Sequence, residues 1–403
     1  MKHLKDSNLL VITNRYPHIK DSMSSSFVKD QVDALSKYFK KVTVIALTPY
    51  IPKFLSMFSF MNPRWIRDAF ADDYKYDDVE VHFAKHFTLP FNSSREKRGD
   101  TAFKVVTKII QEEEIEFDLI HAHFTYPSGY VGARLKERYG KPLIITGHGY
   151  DIYDLPFRNA EWDKKIKSIL NTADHIITPS KSNHDKLMQL DISDDKVSVI
   201  YNGYNSNLFE DVSPNKAKEK LNLPEDKKII LSVGNLELVK GHKYLIEAMK
   251  EVIKREENIT CLIIGSGSQK KNVNSLIDRL SLSKYIKLVG EKPHNEVPLW
   301  MNACDVFVLP SLNESFGIVQ VEAMACGKPV VATFNGGSEE VIVNEKLGIL
   351  VEPKDANELA NAILKALSKE WDRDYISNYA KQYSWDKIVK NIIGVYNELL
   401  KKK

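Results

Sequence analysis

Short apolar runs alternate with amphipathic stretches along this 403-residue chain, and this alternation limits the fold more than any other feature. Apolar runs bounded by turn-forming residues predict buried parallel strands, and the stretches between them have helical periodicity. The predicted strands are 9–12, 42–46, 79–83, 119–122, 143–146, 176–178, 197–200, 229–233, 261–264, 286–289, 306–309, 329–332 and 348–351. The predicted helices include 27–38, 101–114, 129–139, 163–173, 182–189, 356–367, 375–382 and 385–400. The pattern indicates α/β architecture built from βαβ units.

The alternation is interrupted once, between Tyr201 and Pro224, where Asn, Ser and charged residues accumulate. Such a composition is typical of a connection between domains. The sequence therefore predicts two doubly wound, Rossmann-like domains of similar size, residues 1–203 and 204–384. Their facing strand ends would form a central cleft.

Composition and charge exclude several classes of protein. Hydrophobic residues make up 43% and charged residues 28% of the chain, which is typical of a globular protein with a large core. The net charge of +3 is too small to indicate nucleic acid as a partner. The three cysteines have no metal-binding spacing and suggest no disulfide framework. Apolar runs are too short for a signal peptide or a transmembrane helix, so we expect a cytoplasmic protein.

The segment Ser311–Glu322, SLNESFGIVQVE, carries the strongest functional pattern. It follows a predicted buried strand, so Glu314 falls in the loop at the strand's carboxyl end and Glu322 one turn into the next helix. The main-chain amides of Phe316, Gly317, Ile318 and Val319 would lie at the start of that helix, where a phosphate can bind. Each glutamate alone is also compatible with a structural role, Glu322 as an exposed helix residue and Glu314 as a cap.

Other strand ends carry weaker patterns. Lys240 lies in the glycine-flanked loop 234–241, where its charge could neutralise a phosphate or simply be solvated. The spacing does not match a P-loop. Gly265-Ser266-Gly267 resembles the beginning of a dinucleotide fingerprint but lacks the third glycine, so we interpret it as a tight turn.

Three histidines near two strand ends could be taken for metal ligands. His121 and His123 share one face of a predicted strand, and His148 follows the next strand between two glycines. We expect no bound metal, because no fourth ligand or supporting partner stands out. His148 is better suited to a substrate contact, whereas His121 is better explained as a core residue.

The segment 50–70 mixes large apolar side chains with Lys53, Arg64 and Arg67. This composition is typical of a segment at a membrane surface, and a packed connection between elements is the alternative. We therefore also consider peripheral contact with the inner membrane face through this segment.

The residues that follow Ser311 resemble a known family. Glu314 and Glu322, followed by 323–331 and Gly336-Gly337, resemble the E-x7-E motif of the family-four retaining glycosyltransferases, which have the GT-B fold. Weaker similarities to the family, in the same order along the chain, lie at 27–31, 121–123, 147–149, 201–203 and 383–385.

The resemblance implies a hexosyltransferase that uses a nucleotide sugar as substrate and needs no cofactor. Residues 1–203, joined by the C-terminal helix 385–403, would bind the acceptor, and residues 204–384 the donor. Catalytic residues would be Glu314, which holds the donor sugar, Lys240, which neutralises the diphosphate, and His148, which contacts the sugar. Glu322 would bind the ribose and Lys292 would lie near the base, with the amides of 316–319 on the diphosphate.

The chain departs from the family pattern in two places. Asn235 stands where the family often has Arg, and Ser24-Ser25 where it often has Gly-Gly. The serines and Asp151 are candidate acceptor or loop residues. The resemblance implies transfer with retention, a UDP-sugar or GDP-mannose donor and a glycan or lipid-linked acceptor. A nucleotide-sugar epimerase, a sugar phosphorylase and a catalytically silent partner subunit are the alternatives.

Overall fold

A computed structural model describes residues 4–18, 27–50, 71–87 and 92–401 of the chain. The chain divides into two compact units. The first unit comprises Met1–Tyr201 with Val389–Lys403, and the second comprises Asn202–Ile388. The boundaries expected from the sequence differ from these by a few residues.

The first unit contains an eight-stranded sheet in the order β3-β4-β2-β1-β5-β6-β7-β8. The strands are β1 (Asn8–Thr13), β2 (Lys41–Tyr50), β3 (Tyr74–Tyr76), β4 (Val79–Phe87), β5 (Leu119–His123), β6 (Leu143–Thr146), β7 (His175–Thr178) and β8 (Val197–Val199). All pairs are parallel except β3 with β4. Strand β3 is not predicted by the sequence pattern, because a three-residue edge strand has too few residues for a periodic pattern.

Helices connect the parallel strands of the first unit. They are Phe27–Ser36, Asn92–Glu112, Tyr130–Tyr139, Tyr150–Tyr153, Ala160–Thr172 and Lys181–Met188. The helix expected from residue 163 begins earlier, because the Asn159 side chain accepts a hydrogen bond from the Trp162 amide at 2.9 Å and caps it. The apolar faces pack on a core that includes Leu10, Ile120, Leu135 and Ile145.

The second unit contains a six-stranded, wholly parallel sheet in the order β11-β10-β9-β12-β13-β14. The strands are β9 (Lys228–Val233), β10 (Ile259–Ile264), β11 (Ile286–Gly290), β12 (Val306–Leu309), β13 (Val330–Thr333) and β14 (Gly348–Val351). The strand order reverses between β9 and β12. In sheets of this kind, ligands bind where the loops after two such strands diverge.

The helices of the second unit are Pro214–Lys220, His242–Val252, Lys270–Arg279, Val297–Ala303, Ile318–Ala325, Ser338–Val341, Ala356–Ser368 and Arg373–Ala380. The last helix of the chain, Trp385–Lys401, has residues in both units. Shorter helical turns lie at Leu4–Asp6, Thr125–Gly129, Leu155–Phe157, Asp194–Lys196, Leu238–Lys240 and Lys381–Tyr383. In the described part of the chain, no helix is both long and apolar enough to cross a bilayer.

Candidate functional site

Lys240 and Glu314 meet at the carboxyl edge of the second sheet, on either side of the point where strand order reverses. Lys240 follows β9 and Glu314 follows β12. The Lys240 Nζ donates to Glu314 Oε1 at 2.6 Å, and the Ser311 hydroxyl donates to the same oxygen at 2.8 Å. The Glu314 carboxylate is buried, so this ion pair and hydrogen bond replace the water it has lost. Two residues predicted to handle the donor are thus brought together.

Gly241 allows the two loops to approach this closely. Its φ is 64°, and a Cβ built on it would lie 1.9 Å from the carbonyl oxygen of Pro310. The Leu312 amide donates to the Val239 carbonyl at 2.7 Å, which ties the loops together directly. Any side chain at position 241 would force the loop carrying Lys240 away from the loop carrying Glu314.

The helix Ile318–Ala325 begins beside this ion pair. Gly317, in the left-handed conformation at a φ of 71°, precedes it, and no side chain caps the helix start. Phe316 is buried against Tyr383 at 5.5 Å between ring centroids, and the Gln320 amide group donates to the Phe316 carbonyl at 2.6 Å. Helix-start amides and the macrodipole favour an anion here.

Asn335, in the loop after the neighbouring strand β13, supports the Glu314 loop and is not among the residues predicted from the sequence. The Glu314 amide donates to the Asn335 carbonyl at 2.9 Å. The Asn335 side-chain oxygen accepts from the amides of Gly337 at 3.1 Å and Ser338 at 2.9 Å. Its position between the end of a predicted strand and Gly336-Gly337 is the signal that could have identified it.

Glu322 lies one turn into the helix, as predicted, and its carboxylate is buried. Its Oε1 lies 2.9 Å from His294 Nε2, a partner that the sequence analysis did not identify. His294 lies in the same loop after β11 as Lys292, whose ammonium is 5.3 Å from the Trp300 ring centroid. Asn235 is exposed in the loop after β9.

In the first unit, three histidine rings are arranged in a row at the ends of β5 and β6. The His121 and His123 rings stack at 4.4 Å, and the His123 and His148 rings at 5.2 Å between centroids. His123 Nδ1 lies 2.9 Å from His148 Nε2. His121 is bonded to the Tyr396 hydroxyl at 2.5 Å and to the Thr146 hydroxyl at 2.7 Å. His121 is therefore a satisfied core residue, as expected.

Burial determines the ionisation of this row. Desolvation lowers the pKa of His123 to about 3 and holds the pKa of His121 well below its ordinary value. The pKa of His148 is also well below its ordinary value, mainly because of burial and also because protonation would be unfavourable beside His123 and Arg15. All three imidazoles are consequently neutral near pH 7.

Asp151 positions the loop that carries His148. Its buried carboxylate accepts from the amides of Thr125 at 2.8 Å, His148 at 3.0 Å and Gly149 at 2.9 Å. Burial raises the pKa of this carboxyl group, and the three amide bonds act in the opposite direction. These hydrogen bonds hold the main chain around His148 in place.

Several predicted features lie outside the described residues, namely Ser24, Ser25 and the segment 51–70. Within the described ranges, no group of three or more His, Cys, Asp and Glu side chains is arranged to hold a metal ion.

The three cysteines are free and buried, and burial raises the pKa of Cys261 and Cys304 to about 12. Their thiols are therefore protonated near neutral pH.

Comparison with known proteins establishes the family. Residues 36–208 match the model "Glycosyltransferase Family 4", and residues 214–383 match "Glycosyl transferases group 1". An uncharacterized glycosyltransferase of Methanocaldococcus jannaschii is 33% identical over 341 residues, which cover 82% of this chain and 88% of that protein. A D-inositol 3-phosphate glycosyltransferase of Corynebacterium jeikeium is 28% identical over 312 residues, which cover 72% of this chain and 74% of that protein. The chain belongs to the family-four glycosyltransferases, as the motif predicted.

Solved structures confirm the predicted GT-B fold. The sucrose-phosphate synthase of Thermosynechococcus elongatus aligns with a TM-score of 0.79 at 23% identity, over 98% of this chain and 100% of that chain. HepE of Anabaena, solved in complex with UDP, aligns with a TM-score of 0.72 at 22% identity, over 97% and 100%. The protein is therefore a glycosyltransferase with two Rossmann-like units.

Proposed function

We propose that this enzyme transfers a hexose, with retention of anomeric configuration, from a nucleotide-diphosphate sugar to an acceptor. The observation that carries the proposal is the Lys240–Glu314 pair at 2.6 Å, beside the uncapped start of the helix Ile318–Ala325. A cation, helix-start amides and a carboxylate in one place match the phosphates and hydroxyls of such a donor.

In the proposed reaction, the acceptor hydroxyl attacks the anomeric carbon on the face from which the diphosphate departs. The leaving phosphate oxygen accepts the hydroxyl proton, so no side chain has to act as a nucleophile. Lys240 and the amides of Gly317, Ile318 and Val319 stabilise the charge that develops on the diphosphate. The proposal uses no metal ion or cofactor, because these groups supply the positive charge.

His148 and Glu314 would each contact the donor sugar. A neutral imidazole can accept or donate a hydrogen bond to a sugar hydroxyl, and the low pKa of His148 keeps it in that form. Glu314 already has Lys240 and Ser311 as partners on Oε1, so its orientation is fixed before a ligand arrives. Preorganised groups of this kind lose little entropy on binding.

We favour UDP as the nucleotide, with GDP as the other candidate. The support is the similarity to HepE, whose structures contain UDP and UDP-glucose, at 22% identity. A thermal-shift panel with UDP, GDP and ADP tests this choice, because a ligand that binds the folded protein raises its melting temperature. Failure of every nucleoside diphosphate to raise the melting temperature would contradict the proposed function.

Turnover of the donor separates transferase from its alternatives. Slow hydrolysis of the nucleotide sugar by the isolated enzyme, releasing a sugar of unchanged anomeric configuration, is expected for a retaining transferase. NMR of the first product formed reads the configuration directly. An epimerised sugar, a requirement for inorganic phosphate or no turnover would instead indicate an epimerase, a phosphorylase or a silent partner.

For the acceptor we propose a glycan or a lipid-linked sugar in cell-surface polysaccharide or glycoconjugate synthesis. The support is the composition of segment 50–70, where Phe58, Phe60 and Trp65 accompany three basic residues. Co-sedimentation with anionic vesicles, at low and physiological salt, tests membrane contact. A wild-type protein that stays in solution at both salts would favour a soluble acceptor, such as the inositol phosphate named for several relatives.

A further inference from the structure

His294 holds the carboxylate of Glu322 from the side of the loop after β11. The His294 Nε2 and Glu322 Oε1 are 2.9 Å apart, and the Glu322 side chain is 5% exposed. As a carboxylate, Glu322 can accept this bond from the His294 tautomer whose proton is on Nε2. Within the described residues, His294 is the side chain that hydrogen-bonds to this carboxylate.

The imidazole is itself held in place. The ring of Phe209, which is 2% exposed, lies 5.1 Å from the His294 ring between centroids, at an angle of 55°. The turn around His294 is closed by main-chain bonds, from Glu296 to Pro293 at 2.9 Å and from Val297 to His294 at 3.3 Å. A side chain fixed by packing and by a turn can fix the orientation of its partner.

Fixing one oxygen of a carboxylate determines where the other oxygen points. Without a partner, the Glu322 carboxylate could rotate about its terminal bond, which has a broad torsional minimum. With Oε1 bound by His294, that rotation is restricted before any ligand is present. A ribose offers two adjacent hydroxyls, and a preoriented carboxylate can bind them with little loss of entropy.

We infer that His294 is a positioning residue that orients Glu322 for the ribose and thereby sets the preference for ribonucleotide over deoxyribonucleotide. This inference rests on the proposed function, in which Glu322 binds the donor's ribose. His294 itself need not touch the nucleotide. A change at His294 should therefore alter the affinity that comes from the ribose hydroxyl and leave the affinity that comes from the diphosphate unchanged.

Calorimetry with UDP and GDP, each beside its 2′-deoxy analogue, tests the inference. The matched variants are His294→Gln and His294→Asn. The Gln amide nitrogen can reach the position of Nε2, whereas the Asn amide is one methylene shorter and cannot. Asn is also well tolerated in turns, so both variants should fold. Glu322→Gln serves as the reference for the ribose contact.

The wild type should bind the ribonucleotide about tenfold or more tightly than its deoxy analogue, as expected for one lost hydrogen bond to a charged group. His294→Gln should keep most of that ratio. His294→Asn should reduce it to roughly that of Glu322→Gln, with deoxynucleotide affinity changed by less than about threefold.

Two results would overturn the inference. One is a folded His294→Asn variant that retains the wild-type preference for ribose. The other is an equal loss of affinity for the ribonucleotide and for its deoxy analogue in both the Gln and Asn variants, which would indicate that His294 has only a structural role. A wild-type enzyme that binds no nucleoside diphosphate would instead refute the proposed function, and with it this inference.

Discussion

The Lys240 ammonium and the Glu314 carboxylate, 74 residues apart in the chain, form an ion pair at 2.6 Å. Each lies at the end of a strand bordering the reversal of the second sheet. The cation expected to receive a diphosphate is therefore already paired with a carboxylate of the same site. If a diphosphate binds here as proposed, its charge would compete with the charge on Glu314 for the same ammonium group.

Glu314→Gln should strengthen the binding of a nucleoside diphosphate while it weakens sugar transfer. The amide is close to the carboxylate in size but removes the charge that competes for Lys240, so we expect a gain of about 1 kcal/mol. Calorimetry measures the affinity and donor hydrolysis measures the activity. Unchanged or weaker diphosphate binding in a folded variant would mean that the pair persists when the donor binds.

Lys240→Ala should lower turnover about 10²-fold or more, because it removes a preorganised positive charge that would stabilise the negative charge developing on the departing diphosphate. Its loss also leaves the buried Glu314 carboxylate with Ser311 as its remaining side-chain partner, so a measurable loss of stability is expected as well. Steady-state kinetics and a melting curve separate the two effects. Lys243→Ala, on an exposed face nearby in the sequence, is the control and should retain full turnover.

Gly241→Ala should disrupt the loop that carries Lys240, whereas Gly140→Ala should not affect activity. Both glycines have a φ near 60°, at 64° and 63° respectively, so both substitutions carry similar backbone strain. A Cβ at 241 would collide with the Pro310 carbonyl, while a Cβ at 140 meets nothing within 4 Å. Equal loss of nucleotide binding in both variants would show that strain, and not collision, is responsible.

Tyr396→Phe should destabilise the protein by about 1–3 kcal/mol, because it leaves a buried ring nitrogen of His121 without its partner. Tyr375→Phe is the control. Its hydroxyl accepts a 3.3 Å bond from Asn344 at the exposed surface, and its loss should cost under about 0.5 kcal/mol. Calorimetric melting of both variants gives the comparison. Equal melting temperatures would show that water replaces the Tyr396 hydroxyl.

Acidification from pH 7 to pH 4 should lower the melting temperature, and His123→Asn should reduce that dependence. The pKa of His123 is about 3 in the folded protein, below its ordinary value, so the unfolded chain binds the extra proton. The contribution to stability is thus complete above the ordinary pKa near 6.5. Below it, the free energy of unfolding falls by about 1.4 kcal/mol for each pH unit until the pKa of the folded state is reached.

Calorimetry of the wild type and His123→Asn over this pH range checks the prediction. At pH 8 neither form carries a proton at this position, so that measurement isolates the packing cost of the substitution. The difference between the two melting temperatures should then narrow as the pH falls. A difference that stays constant would show that His123 becomes protonated without unfolding.

The strands could be predicted because each parallel strand is buried on both faces, which produces an uninterrupted apolar run. The start of the helix Asn92–Glu112 could not, because its first residues, NSSREKR, contain no apolar residue to mark a buried face. Helical periodicity is detected from apolar residues, so a helix start without apolar residues leaves no such pattern in the sequence.

The sequence suggests candidate site residues one by one, but it does not show which of them pair. Glu314 and Glu322 stand out because the seven residues between them cover a turn and the start of a helix. The contact of Glu322 with His294 depends on how the loop after β11 folds against that helix. The alternation of strands and helices does not fix the order of strands within a sheet, so partners from separate loops become visible only in three dimensions.

Because Val389–Lys403 belong to the first unit, the chain's two halves are not independent pieces. During synthesis, residues 1–201 leave the ribosome long before Tyr396, which lies against His121 and Phe39 in their core. At roughly 5–20 residues per second, the first unit waits about 10–40 s for its last helix. A recombinant chimera must likewise take its final helix from the same parent as its amino-terminal half.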